Sequence, residues 1–264
     1  MLIFFSIYAI FPVLWMFSTS IKPDSEVRTE DPTFITMNPT IEHYQSVLIE
    51  SEFGTYLKNS AYVSTMTTLI SMFIALLAAY TLSRMSKSPG IRAIGFGMLI
   101  AQMTPVVMLI IPLYVFMMKA NLLDTYASLI ITYTTFTIPV VTWMLKSFFD
   151  SIPIDMEESA FIDGCTRFGV IFRIILPISL PALVATGLYA FVHAWSEFVL
   201  GYTFISDDSL RTLTPGLALL MGLWTVDWGR LMAASVVIVV PVAIGFVYLQ
   251  KLIIEGLTAG STKG

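Results

Sequence analysis

The chain has 264 residues, of which 56% are hydrophobic and 12% charged, with a formal net charge of −4. Soluble domains carry about 25% charged residues, so the lipid bilayer must be the solvent for most of this apolar surface. The small net charge gives no indication of nucleic-acid binding, the single cysteine excludes an intramolecular disulfide, and the two distant histidines have no zinc-site spacing.

Six apolar stretches predict six transmembrane helices. Each is near or above the ~20 residues that cross about 30 Å of hydrocarbon as a helix. Alternating strand patterns are absent, which leaves helices as the spanning structure. The first stretch has no basic segment or cleavage site, so it is predicted to be a membrane helix rather than a signal peptide. The predicted spans are 2–20, 56–84, 93–118, 125–149, 177–205 and 230–254.

Prolines interrupt most of these spans. In a membrane, a proline bends a helix where neighbours or water satisfy the freed carbonyl groups. Packing kinks are favoured here over moving hinges. The prolines are Pro12, Pro105, Pro112, Pro139, Pro181 and Pro241.

The short loop 84–92 sets the predicted orientation. It carries three basic residues and no acid, which favours the cytoplasmic side. With six spans, both termini and the loop 150–176 then lie in the cytoplasm. The segments 21–54, 119–124 and 205–229 lie outside.

The polar segment between the fourth and fifth spans is the most informative part of the sequence. Pro153 suits the first turn of a helix, and three acids follow it where the helix dipole favours negative charge. Ser159 and Ala160 are small enough to let another surface approach closely. Gly164 can adopt the left-handed conformation that ends a helix. The segment therefore predicts a short helix over 154–164, a turn and a second short helix.

A helix lying on the lipid surface is the alternative for this segment. Such helices are usually rich in Lys and Arg, because the lipids of the cytoplasmic leaflet are anionic. This segment is acidic instead, which favours a surface that docks another protein.

The same segment resembles the EAA loop of ABC importer permeases, whose pattern is E-A-A-x3-G-x9-I-x-L-P. Ser159 in place of the first alanine is the one departure, and Asp163 is typical of the sugar-importing branch. The matching positions are Glu158, Ser159, Ala160, Gly164, Ile174, Leu176 and Pro177.

Further motifs extend the resemblance to nearly the whole chain, which is identified as a member of the MalG-like carbohydrate ABC permeases. The second span ends in Tyr80 and Arg84, as in these permeases. The other similar segments are 20–23 (Ser-Ile-Lys-Pro), 111–114 (Ile-Pro-Leu-Tyr), 195–198 (Trp-Ser-Glu-Phe) and 256–264, the C-terminal tail.

This resemblance implies an all-α membrane protein with six transmembrane helices and a cytoplasmic coupling-helix loop, the fold of type I ABC importer permeases. The whole chain, 1–264, would be one transmembrane domain in a bacterial or archaeal cytoplasmic membrane. It would move a sugar or oligosaccharide from an extracytoplasmic sugar-binding protein into the cytoplasm. A second, MalF-like permease and an ABC ATPase dimer would complete the importer.

The chain itself is expected to be neither an enzyme nor a nucleotide-binding protein. Gly164 and Gly169 have the glycine spacing of a phosphate loop, but Val170 and Ile171 replace the required Lys-Ser/Thr pair. ATP and Mg would therefore be bound by the partner ATPase, and no cofactor is expected here.

The resemblance also implies which residues meet the partners. The outer loop 205–229 would contact the sugar-binding protein, and the C-terminal tail 255–264 would reach the ATPase through Gly256, Gly260 and Lys263. The helix 154–164 would seat in a cleft of the ATPase, and the residues implied in this coupling are Glu157, Glu158, Ser159, Ala160, Asp163 and Gly164.

Candidates for the translocation path lie on the fourth and fifth spans. His193 and Glu197 are four residues apart, on one predicted helical face, and ionisable groups in a membrane are costly and often functional. A structural role is favoured for both, and a place on the path is the alternative. Sugar sites also use aromatic and hydroxyl groups, which Tyr133, Thr137 and Tyr189 supply.

A secondary transporter or channel acting alone is the alternative function. It would be expected to show paired intramembrane charges or a repeated broken-helix pattern, and the sequence offers only His193 and Glu197. The few basic residues of the chain lie at the ends of the predicted spans. A phosphorylated substrate would need basic residues within the path, so a neutral sugar is favoured over a phosphorylated one.

Overall fold

A computed structural model describes residues 1–29, 31–221 and 226–259. Within these residues the protein is helical, and the β pairing is limited to an isolated bridge between Met221 and Val226. The helices are α1 (Leu2–Ser20), α2 (Asp24–Val27), α3 (Glu42–Leu48), α4 (Phe53–Arg84), α5 (Pro89–Gln102), α6 (Val106–Lys119), α7 (Tyr126–Asp150), α8 (Asp155–Ile162), α9 (Arg167–Val170), a π-helical turn (Ile171–Ile175), α10 (Leu176–Ile178), α11 (Leu180–Trp195), α12 (Val199–Phe204), a 3₁₀ turn (Asp208–Leu210), α13 (Leu213–Leu219) and α14 (Trp228–Ala259).

Three of the described helices, α4, α7 and α14, are long and apolar enough to cross a membrane. They overlap the second, fourth and sixth predicted spans, and α1 is a shorter apolar helix over the first. Helix α14 continues to Ala259, so the first residues of the predicted tail 255–264 are helical.

The predicted spans 93–118 and 177–205 are each broken. Helices α5 and α6 meet at a bend of 101°, and the helical segment 167–178 meets α11 at 83°. Pro105 precedes α6 in an extended conformation, and a proline disfavours helical geometry in the residue before it. If each bent pair is one span, the described residues hold up to five spans of sufficient length and composition.

The chain forms two compact units, and the first comprises 1–61 with 197–244. In this unit the start of α4 is fixed to the segment before α13. Asn59 Nδ2 donates to the carbonyls of Ser209 and Arg211 at 2.9 and 2.8 Å, and the hydroxyl of Ser60 accepts from the Leu213 N–H at 2.8 Å. These bonds satisfy backbone groups of an irregular segment that secondary structure leaves unpaired.

The second unit comprises 62–196 with 245–264. Its core joins α4, α7, α8 and the segment up to α11 in one cluster of buried side chains. Small residues such as Ala75, Ala79 and Ala190 allow the helices to approach closely. Phe149 of α7 and Ala160 of α8 belong to the same cluster, so the short helix α8 is packed onto the ends of the long helices.

Candidate coupling site and translocation path

The helix and turn predicted for the polar segment are present, and the helix is shorter than the predicted 154–164. Helix α8 ends at Ile162, and Gly164 follows with φ of +85°. The Gly164 N–H bonds the Phe161 carbonyl at 3.0 Å, and the Cys165 N–H bonds the Ala160 carbonyl at 2.9 Å. This pair of bonds is the Schellman helix ending, in which glycine adopts the left-handed conformation without a steric penalty.

Glu157 lies inside the protein and is held at both carboxylate oxygens. Its side chain is 3% exposed. Arg84 Nε donates to Oε1 at 2.6 Å, and the Tyr80 hydroxyl donates to Oε2 at 2.7 Å. A buried carboxylate is tolerated when it is paired and hydrogen-bonded in this way. The last two turns of α4 therefore fix the first turn of α8.

Arg84 also binds the end of α7. Its two terminal nitrogens donate to the Phe149 carbonyl at 3.0 Å and to the Ile152 carbonyl at 3.2 Å. The last carbonyls of a helix have no partner within the helix, and a basic side chain can satisfy them. One guanidinium group thus joins α4, α7 and α8.

The other predicted coupling residues differ in exposure. Ala160 is buried beside Glu157, whereas Glu158, Ser159, Asp163 and Gly164 are exposed. The carboxylate of Glu157 is buried in the described structure, and its predicted role in ATPase coupling stays a prediction. It orients α8, and the outward face of the helix begins with Glu158.

A cavity of about 560 Å³ lies between α4, α8 and α9, beside the Arg84–Glu157 pair. Its apolar lining includes Leu77, Phe161 and Phe168, and Phe168 is 66% exposed. The inner side of α8 is therefore packed near Ala160 but open near Phe161.

The tail residues are described only in part. Gly256 lies in the backbone of α14. Gly260 and Lys263 lie outside the described residues, so their predicted contact with the ATPase stays a prediction.

Helices α7 and α11 bring four predicted path residues together. Thr137 Oγ1 and His193 Nδ1 are 3.4 Å apart, and the Thr137 hydroxyl donates to the Tyr133 carbonyl at 2.7 Å. The rings of Tyr189 and His193 have centroids 6.1 Å apart. Tyr133 and Thr137 are buried, whereas Tyr189 is 37% exposed. The result is a polar and aromatic cluster in which Tyr189 offers the most open surface.

Glu197 is held elsewhere in the chain. Helix α11 ends at Trp195, so the helical face that Glu197 was predicted to share with His193 does not form. The Glu197 carboxylate accepts from the N–H groups of Leu200 and Gly201 at 2.9 and 3.0 Å, at the start of α12. Its negative charge satisfies N–H groups that a helix start leaves unpaired, which supports the structural alternative.

One cluster of potential metal ligands was not indicated by sequence spacing. Single ligand atoms of Asp24, His43 and Asp227 lie within 4.8 Å of one another. His43 Nε2 is already bonded to the Lys22 carbonyl at 2.8 Å. That bond occupies one ring nitrogen. His43 is buried, whereas Asp24 is exposed and Asp227 is partly buried.

Sequence reasoning also missed the partners of Glu157. Tyr80 and Arg84 precede it by 77 and 73 residues, and no local pattern links positions so far apart. Their similarity to the residues that end the second span of MalG-like permeases was the available signal.

Residues 52–258 match the family described as "Binding-protein-dependent transport system inner membrane component". The chain belongs to this family. The match runs from the start of α4 into α14, and it makes the chain a multi-pass membrane component of a binding-protein-dependent transport system.

Two relatives extend the similarity to almost the full length. The chain is 40% identical over 256 residues to the sulfoquinovosyl glycerol transport system permease protein SmoH of Agrobacterium fabrum. The aligned region covers 97% of this chain and 89% of the relative. It is 37% identical over 270 residues to the trehalose/maltose transport system permease protein MalG of Thermococcus litoralis, with 99% and 94% covered. The resemblance to MalG-like permeases is confirmed.

The fold is also that of a solved ABC importer. The chain superposes with a TM-score of 0.81 on a chain of a bacterial ABC transporter involved in the import of the acidic polysaccharide alginate. The two are 22% identical, and 95% of this chain and 92% of the other are covered. The all-α importer permease fold predicted from the sequence is confirmed by this similarity.

Proposed function

We propose that this chain is one of two permease subunits of an ATP-driven importer that carries a sugar or oligosaccharide into the cytoplasm. Support comes from relatives whose names specify sulfoquinovosyl glycerol, diacetylchitobiose and trehalose/maltose transport, each similar along nearly the whole chain. A neutral sugar fits the hydroxyl and aromatic groups that α7 and α11 bring together.

The proposed mechanism depends on the attachment of α8 to the ends of α4 and α7. The exposed face of α8, from Glu158 to Gly164, docks on an ABC ATPase subunit. When ATP closes the ATPase dimer, α8 moves inward. The buried Arg84–Glu157 pair then carries the ends of α4 and α7 with it, and the permease opens outward to a loaded binding protein.

The remaining partners follow from this assignment. A second, MalF-like permease completes the membrane part, and the ATPase dimer binds ATP and Mg, so this chain holds no cofactor. An extracytoplasmic sugar-binding protein docks on the segment 205–229. Both termini and the loop 150–176 face the cytoplasm of a bacterial or archaeal cell.

The cluster between α7 and α11 lines the translocation path in this proposal. Tyr189 stacks against the sugar ring, and the Thr137–His193 pair offers hydrogen-bonding groups. Glu197 is outside the path and holds the start of α12.

Purification in a gentle detergent tests the assembly. We expect a second permease, an ATPase and a solute-binding protein to accompany this chain. The binding protein can be screened for its sugar, and ATP-driven uptake of that sugar then measured in proteoliposomes. Recovery of this chain alone, transporting without ATP, would identify a secondary transporter instead.

Charge reversal tests the docking face. Glu158→Lys should abolish ATP-driven uptake while membrane insertion stays normal. Glu50→Lys makes the same change at an exposed acid in the segment proposed to lie outside, and it should transport normally. Normal uptake by Glu158→Lys would remove the coupling role from α8.

A further inference from the structure

A separate pocket of about 200 Å³ lies where α4 and α7 end and α5 begins. Its polar lining consists of Ser86, Arg92, Trp143 and Lys146. Each of these side chains can donate a hydrogen bond, and none is an acid. The pocket is therefore lined by side chains that carry hydrogen-bond donors and no carboxylate.

Two of these donors have little or no acceptor within the described residues. Arg92 is exposed and makes one long hydrogen bond there, 3.4 Å from Nη2 to the Ser86 carbonyl. The indole Nε1–H of Trp143 is buried and has no acceptor in the described part of the chain. A buried N–H without an acceptor is costly, so a small shift of the indole that lets a phosphate oxygen reach this N–H would be favoured.

Lys146 adds positive charge at the same wall. Its ammonium donates to Asp150 Oδ2 at 2.6 Å and lies 5.4 Å from the centre of the Trp143 ring. An ammonium group has three donors, so the contact with Asp150 leaves others for a ligand. The hydroxyl of Ser83 also donates to Asp150, at 2.6 Å, so that carboxylate has a second donor besides Lys146.

The surroundings of the pocket have the composition expected in the headgroup region of a bilayer. Two apolar helices end beside it, and tryptophan and basic side chains are typical of that depth. Exposed apolar side chains continue along α5 from the pocket: Phe96 lines it and is 57% exposed, and Ile100, one turn further on the same side, is 67% exposed. A ligand with an anionic head and an apolar chain fits both surfaces.

We propose that this pocket binds the phosphate of an anionic phospholipid, with an acyl chain along α5. Basic pockets between membrane helices suit such headgroups. Free phosphate offers the same acceptor oxygens but would make no use of Phe96 and Ile100. The assignment does not depend on which sugar the importer carries.

Native mass spectrometry of the purified, delipidated complex tests this proposal. The complex is titrated with phosphatidylglycerol, with phosphatidylcholine and with inorganic phosphate. We expect phosphatidylglycerol to bind at least fivefold tighter than phosphatidylcholine, and inorganic phosphate to displace little of it. Equal binding of the two lipids, or displacement by inorganic phosphate at the same concentrations, would overturn the lipid assignment.

Three substitutions locate the site. Arg92→Gln removes the exposed charge, and Trp143→Phe removes the N–H but keeps a ring under Lys146. Each should weaken phosphatidylglycerol binding about fivefold. Lys87→Gln removes a charge from the same loop at a residue that does not line the pocket, and it should change binding less than twofold, roughly. An equal loss with Lys87→Gln, or no loss with Arg92→Gln, would assign the binding to general surface charge.

Discussion

Arg84 Nε lies 2.6 Å from Oε1 of Glu157, and both side chains are largely buried. This contact joins the end of a long apolar helix to the first turn of α8, while the next residue, Glu158, is exposed. Two consecutive acids therefore have different tasks: one fixes the helix to the permease and the other is available to a partner.

Neutralising Glu157 should destabilise the protein and uncouple it. Glu157→Gln leaves the Arg84 guanidinium buried without its counter-charge, which should cost about 3 kcal/mol of unfolding free energy. We expect a lower thermal unfolding midpoint of the purified complex and a loss of ATP-driven uptake.

Adding Arg84→Met to Glu157→Gln provides the control. The double variant has no lone buried charge, so it should regain part of the lost stability. Additive losses from the two substitutions would mean that the pair contributes no coupling energy.

Gly164→Ala should weaken the end of α8. A residue with a Cβ at φ of +85° is strained, and the change should lower stability by about 1 kcal/mol. Thermal unfolding and uptake would both report it. Gly97→Ala is the matched control, because an added Cβ meets nothing within 4 Å at either glycine and only Gly164 has a positive φ. Equal effects at the two positions would contradict a conformational requirement at Gly164.

Glu197→Gln should change stability more than transport. It weakens two charge-assisted bonds to the start of α12, which should lower stability by about 1 kcal/mol. The uptake rate at saturating sugar, measured below the unfolding temperature, should stay near that of the parent protein. Abolished uptake at unchanged stability would place Glu197 in the path.

Tyr189→Leu should raise the sugar concentration needed for half-maximal uptake, because it removes an exposed aromatic face from the proposed path. Concentration-dependent uptake in proteoliposomes measures this. Tyr114→Leu is the matched control, since Tyr114 is 39% exposed and Tyr189 is 37% exposed. Indistinguishable curves for both variants would remove Tyr189 from the path.

The long apolar helices and the Gly164 turn were predictable because their causes are local. A run of apolar residues predicts α4, α7 and α14 wherever they pack, and Gly164 follows a short acidic helix. The 101° bend between α5 and α6 was less predictable. Pro105 indicates a break in the helix, but the angle depends on what the two halves pack against.

The segment that forms the candidate coupling site was predictable from the sequence, but the orientation of its helix α8 was not. Helix α8 has eight residues and no marked apolar face, so its sequence does not show that Glu157 turns inward and Glu158 outward. The end of α11 at Trp195 was equally hidden, because no proline or glycine lies at the break. Both outcomes depend on contacts with residues distant in the chain.

The contrast between Glu157 and Glu158 also bears on how the complex responds to ionic strength. At about 0.1 M salt, exposed charges are screened over roughly 10 Å, whereas buried pairs are screened much less. Concentrated salt should therefore weaken the proposed ATPase contact at Glu158 and leave the Arg84–Glu157 attachment in place. The ATPase could then be washed from the membrane and rebound on dilution, because α8 would stay in position between the two steps.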